Sequence, residues 1–178
     1  VFNAMELGLP LNLISSAVFE RSLSYRKELR VKASRFYSRA PGKFAIPEPQ
    51  EIHDALYASK LISYAQGFDL LKRASDEFKW NLNLASIAKI WRNGCIIRSH
   101  FLNKIAEAFQ AEDKPQHLLL DGYFRDEIMS ALPAWSSLTA KAAIGGLSLP
   151  AFSSALNYFY SFTTENLPAN MIQAQRDY

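Results

Sequence analysis

Hydrophobic positions recur along nearly the whole chain at steps of three and four residues, the period of a helix that buries one face. Ile14, Val18, Tyr25 and Leu29 form a first stripe. Ile52, Leu56, Ser63, Gln66 and Leu70 form a second, whose apolar face also takes Leu61, Phe68 and Leu71. Ile97, Phe101, Ile105 and Ala108 form a third. No alternating runs joined by Asn-Gly or Asp-Gly turns, the signature of strands, interrupt them. Breaks fall at Pro10, Pro41-Gly42, Pro47 to Pro49, Asn93-Gly94, Lys114-Pro115, Gly145-Gly146 with Pro150, and Pro168. Between them the pattern predicts helices over 11–38, 51–79, 84–92, 95–111, 121–144, 150–165 and 168–178, an all-α fold. Gly67 lies inside the second of these without a stop signal. Glycine costs about 1 kcal/mol relative to alanine in a helix, so its presence there points to close packing rather than to a break.

A weak internal repeat accompanies the pattern. Gly8-Leu9-Pro10-Leu11-Asn12-Leu13-Ile14-Ser15-Ser16-Ala17-Val18 matches Gly146-Leu147-Ser148-Leu149-Pro150-Ala151-Phe152-Ser153-Ser154-Ala155-Leu156 at a constant offset of 138 residues. In each, glycine ends one helix, a short extended link follows, and a new helix begins. A duplicated helical unit explains this, and so does chance similarity of two helix–helix links. The offset sets Arg21 against Phe159. Arg21 also falls on the first apolar stripe, one turn after Val18 and one before Tyr25. A guanidinium in an apolar position needs a partner, because a buried unpaired charge is costly. An internal ion pair or a side chain that reaches out to water satisfies that need. So does a bidentate grip on a carboxylate or phosphate.

Composition narrows the classes. The chain has 178 residues, 49% hydrophobic and 21% charged. It is therefore a folding chain, long enough to bury about 70% of its unfolded surface. Its first residues read as the end of a helix and its last as a helix cut short, so the expectation is one helical domain, 1–178, of a longer protein. A single cysteine, Cys95, excludes an internal disulfide framework and a four-cysteine zinc site. His53, His100 and His117 are too far apart for a local metal motif, and no metal is expected. The longest uncharged run, 142–164, is broken by Gly145, Gly146 and Pro150 and carries several hydroxyl groups. It reads as a buried helix, so no membrane partner is expected. The first residues do not read as a signal peptide, and none is expected from them. The net charge of +3 is uneven: from Arg21 to Lys43, eight basic residues face only Glu28, a local charge of +7. Such a stretch is a solvated helix face or an anion site. No glycine-rich phosphate loop or nucleic-acid motif supports the second, and no nucleic acid is expected as a partner.

Catalytic patterns are sparse. There is no nucleophile-elbow pattern. Asp76-Glu77, Glu112-Asp113 and Asp126-Glu127 read as solvated faces, and Cys95 as a buried structural thiol. Arg98, amid Ile96, Ile97, Phe101 and Leu102, reads as internally paired. Trp80, Trp91 and Trp135 read as core or interface anchors. No catalytic residue is assigned in this chain.

Longer runs carry a resemblance. Leu56-Tyr57-Ala58-Ser59-Lys60-Leu61-Ile62-Ser63-Tyr64-Ala65-Gln66-Gly67-Phe68 resembles a stretch of the decarboxylating 6-phosphogluconate dehydrogenases. So do Trp80-Asn81-Leu82-Asn83, Ile87-Ala88, Trp91-Arg92-Asn93-Gly94-Cys95-Ile96-Ile97-Arg98-Ser99, and the terminal run from Leu167 to Tyr178. The resemblance implies the later part of that family's all-helical C-terminal domain. It implies a cytoplasmic homodimeric enzyme that oxidatively decarboxylates 6-phosphogluconate to ribulose 5-phosphate and CO2, with reduction of NADP. The dinucleotide-binding domain and the helix bearing the family's catalytic lysine, asparagine and glutamate lie outside the resembling segment, so the isolated chain is expected to be inactive. Two substrate residues carry over. Val18-Phe19-Glu20-Arg21 matches the context of the family's phosphate-binding arginine, which favours the anion grip for Arg21. Gln175-Arg176-Asp177-Tyr178 matches the context of an arginine that the partner subunit's tail donates to the same phosphate. The link from Ser38 to Pro49 is shorter than the family pattern. Two other readings of the same chain are a non-catalytic helical scaffold and a basic nucleic-acid-binding domain.

Overall fold

The computed structural model describes residues 1–40, 42–94 and 101–178. Cys95, Ile97, Arg98, His100 and the start of the predicted 95–111 helix lie outside the described residues. The described residues form α1 (Phe2–Glu6), α2 (Asn12–Ser24), α3 (Lys27–Tyr37), α4 (Pro49–Phe78), α5 (Leu84–Gly94), α6 (Leu102–Gln110), α7 (Gly122–Ile144), α8 (Pro150–Phe162) and α9 (Ala169–Asp177), with a 3-10 turn at Leu118–Leu120. No strand occurs among them.

The thirty-residue helix α4 is the axis of the fold. It starts at Glu48 with a capping box to Glu51 and proline in its first turn, and stops at Lys79 in the left-handed region (φ 55°). Its buried residues include Ala55, Ala58, Ile62 and Ala65, and α7 packs along it. Asp121 caps α7 by accepting from the Tyr123 (2.9 Å) and Phe124 amides. The helix runs on through Pro133, which sits on the exposed side, where the freed Met129 carbonyl can reach water. Trp135 of α7 is fully buried, its ring 6.3 Å from Phe159 of α8. On the other side of α4, Tyr64 and Phe68 meet the α5–α6 pair through Trp91, Phe101 and Phe109, with ring centroids 4.9–6.1 Å apart.

The predicted 11–38 helix is two helices. The hydroxyls of Ser22 and Ser24 bond back to the carbonyls of Val18 (3.1 Å) and Arg21 (2.6 Å), which bends and ends α2. Arg30 then donates to the Ser24 carbonyl (3.2 Å), turning α3 onto a new axis. The first stripe is not a core stripe: α2 and α3 bury no residue, and Val18, Tyr25 and Leu29 are exposed. The close packing expected at Gly67 is also absent. A Cβ there would meet no described atom within 4 Å. Close approach occurs instead where the 39–46 link crosses the end of α7. A Cβ on Gly145 would sit 2.9 Å from the Phe44 side chain, and one on Gly42 would run into the Gly145 carbonyl. Arg39 fastens this crossing by donating to the Gly146 carbonyl (3.0 Å).

The two similar segments share a corner geometry. Gly8 and Gly146 both take positive φ (68° and 70°). The amides of Leu9 and Leu147 reach back 2.8 Å to the carbonyls of Ala4 and Ala142, the closing bond of a Schellman turn. Both alanines are buried, and the helices that follow, α2 and α8, keep the 138-residue offset at both ends.

Candidate functional site

The corners at Gly8 and Gly146 place α2 and α8 side by side. They run antiparallel, because Ala17, Glu20, Arg21 and Ser24 of α2 line one groove with Ser148 to Phe152 at the start of α8. The groove encloses about 400 Å³. Arg21 stands on its exposed wall, and its guanidinium has no hydrogen bond or ion pair to any described residue. The expectation of a buried apolar setting for Arg21 is thus corrected: the position is open because nothing among the described residues closes that face of α2. A guanidinium free of carboxylate partners keeps all its donors for an incoming anion.

Arg176 lies in the last turn of α9. No residue of α9 is buried, and the Arg176 side chain has no described partner either. No residue of α9 is among those that line the groove at Arg21.

Of the basic residues from Arg21 to Lys43, all are exposed. Two serve the backbone, Arg30 at Ser24 and Arg39 at Gly146. Asp76, Glu77, Glu112, Asp113 and Asp126 are exposed as expected, but Glu127 is half-buried and reaches the Tyr57 hydroxyl. Tyr57 also meets the Tyr123 hydroxyl (3.3 Å), and burial together with these neighbours pushes its own proton loss far upward. Trp135 anchors the core and Trp91 packs against it, whereas Trp80 stacks on Phe78 at the surface (5.0 Å).

A polar cluster around His117 was not legible in the sequence. His117 is buried, and its ring lies 4.4 Å from that of Phe162. Its Nδ1 accepts from the Leu119 amide (3.2 Å), and its Nε2 meets the Tyr158 hydroxyl (3.3 Å). Only the Pro115 break before the Leu118–Leu120 run hinted at a local cap.

Among the described residues, no group of three or more histidines, cysteines or acids is placed to hold a metal ion. No helix there is long and apolar enough to cross a membrane. With no strand among them, the described residues contain no strand–turn–helix unit of the dinucleotide-binding type.

The comparisons with known proteins agree with this architecture. Residues 1–178 match the family described as 6-phosphogluconate dehydrogenase, C-terminal domain. A decarboxylating 6-phosphogluconate dehydrogenase of Caenorhabditis elegans is 46% identical over 192 residues, covering 99% of this chain and 38% of the relative. One of Rattus norvegicus is 46% identical over 182 residues, covering 99% and 37%. Among solved structures, a 6-phosphogluconate dehydrogenase of Plasmodium falciparum aligns with a TM-score of 0.91 at 41% identity, covering 99% of this chain and 39% of that one. It is described in its apo form, with its cofactor NADP+ and with its substrate 6-phosphogluconate. The chain thus spans a little over a third of the length of these relatives. Matched from its first residue to its last, and superposing over 99% of its length on a solved member, the chain belongs to the 6-phosphogluconate dehydrogenase family as its C-terminal domain.

Proposed function

We propose that this chain is the substrate-binding and dimerisation part of an enzyme that oxidatively decarboxylates 6-phosphogluconate to ribulose 5-phosphate and CO2, reducing NADP. In this reading Arg21 holds the substrate phosphate, and Arg176 reaches the same phosphate from the partner subunit of a homodimer. The nucleotide site and the acid–base groups reside in the remainder of the protein, residues 1–178 form one helical domain, and the enzyme works in the cytoplasm.

The observation that carries the reading is the state of Arg21. Without a polar partner among the described residues, it stands on an open groove, at the one position of the α2–α8 correspondence where a buried phenylalanine becomes an exposed cation. Two guanidiniums on a phosphate dianion make charge-assisted bonds of about 1.5–3 kcal/mol each. The phosphate is remote from the reacting carbon, so this energy fixes the register of the substrate for hydride transfer. An α9 that buries nothing within its own chain fits a tail that packs on another subunit. The exposed Val18, Phe19 and Leu23 of α2 supply apolar surface for such an assembly.

Steady-state NADPH formation by the full-length protein tests the proposal. Wild type should turn over 6-phosphogluconate, and Arg21→Ala should lose at least about tenfold in kcat/KM. An inactive, well-folded wild type leaves only the scaffold reading. An active wild type with an unaffected mutant makes Arg21 structural.

A further inference from the structure

The 111–121 link between α6 and α7 is held at two points. Lys72 of α4 donates to the Gln116 carbonyl (2.8 Å). His117 turns inward, caps the Leu118–Leu120 turn and meets α8 through Tyr158 and Phe162. Its protonation state follows from these bonds. Because Nδ1 accepts the Leu119 amide, it carries no hydrogen, so the neutral ring has its hydrogen on Nε2 and donates it to the Tyr158 oxygen. Burial raises the Tyr158 hydroxyl to about 12, so that group keeps its own proton at any physiological pH.

We propose that His117 is a proton-operated latch on the α6–α7 link: uptake of a second ring proton turns Nδ1 from acceptor to donor, expels the Leu119 amide and unfastens the Leu118–Leu120 turn, while Nε2 keeps its hydrogen on the Tyr158 oxygen. Imidazolium has two N–H donors and no acceptor, so the cap cannot survive protonation. The charged groups facing the ring are Asp69 and Lys72 of α4, and Tyr158 is the titratable group facing it from α8. Burial and the Lys72 ammonium oppose the imidazolium, Asp69 favours it, and burial dominates, holding the ring below its ordinary value of 6.5. The latch is therefore closed at neutral pH and opens on acidification. It sits at the root of the segment leading from Phe162 to α9, the arm that bears Arg176.

Amide hydrogen exchange of the full-length protein by mass spectrometry, corrected for the intrinsic pH dependence of exchange, tests the latch without reference to turnover. Peptides over 117–121 should exchange at least about tenfold faster at pH 5 than at pH 7.5, with a midpoint below 6.5. Peptides at the centre of α4 should not change. His117→Asn keeps a capping oxygen but cannot titrate, and should abolish the rise. Asp69→Asn withdraws the carboxylate that favours the imidazolium and should move the midpoint to lower pH. A flat wild-type response overturns the latch, as does an equal rise in the His117→Asn protein. Should that variant not fold, an unmoved midpoint in Asp69→Asn overturns it.

Discussion

α2 and α8 leave the same kind of glycine corner, have the same length and lie against each other, yet one buries nothing and the other is part of the core. Residue by residue the contrast is sharp. Val18 is 46% exposed and Leu156 7%. Glu20 and Arg21 stand in solvent where Tyr158 and Phe159 are buried. The corner chemistry fixes where each helix starts. What lies across its outer face decides which side chains it carries. α4 and α7 cover α8, and nothing described covers the far side of α2. Arg21 stands at the open groove between the two helices, where the family resemblance places a substrate contact.

Exchanging the two residues is the strongest way to break this contrast. Phe159→Arg puts an unpaired charge into the core beside Trp135 and should cost about 3–5 kcal/mol in denaturant unfolding. The reciprocal Arg21→Phe should change stability by no more than about 0.5 kcal/mol, since the side chain it replaces is exposed and has no hydrogen bond or ion pair to any described residue. A large loss from the second substitution would mean that another part of the protein covers α2.

Two glycines sharpen the same point at smaller scale. Gly145→Ala meets Phe44 at 2.9 Å and should destabilise by about 1–3 kcal/mol. Gly67→Ala meets open space and should stabilise by up to about 1 kcal/mol, read as a rise in Tm. Destabilisation by Gly67→Ala would reveal a close neighbour beyond the described residues.

The smallest effect concerns Glu51, whose carboxylate accepts from Lys141 at 2.7 Å and ties the start of α4 to α7. That partner holds the Glu51 carboxyl below its usual value of 4.5. A carboxyl depressed on folding contributes stability that is present above its unfolded value and lost as pH falls through the folded one. Glu51→Gln should therefore lower Tm slightly at neutral pH, with the difference from wild type vanishing under acid.

The all-α class and most helix positions were legible because periodicity and breakers are local. The Schellman corners at Gly8 and Gly146 could be anticipated for the same reason. The split at Tyr25 was not, since serine hydroxyls bonding back to Val18 and Arg21 leave no mark on the hydrophobic pattern. Gly67 was misread because a glycine's sequence context does not show what faces it, whereas Gly42 and Gly145 owe their role to a long-range crossing. Arg21 was singled out by stripe and repeat together, but its exposure could not be read from either. Arg176 came from the resemblance alone, and His117 from neither, since its partner Tyr158 lies 41 residues away and meets it only in three dimensions.

The central claim is that an open α2 face is completed by an arginine from the other subunit, and mixed dimers test it most directly. Full-length Arg21→Ala and Arg176→Ala proteins, each impaired alone, are dissociated together and reassembled. If Arg176 serves the partner's site, each mixed dimer holds one doubly altered site and one intact site, and its activity returns to about half that of wild type. If Arg176 acts within its own chain, every site of the mixed dimer lacks one arginine and mixing restores nothing; if Arg176 does not act on the substrate, Arg176→Ala is as active as wild type on its own, and either result would contradict the account.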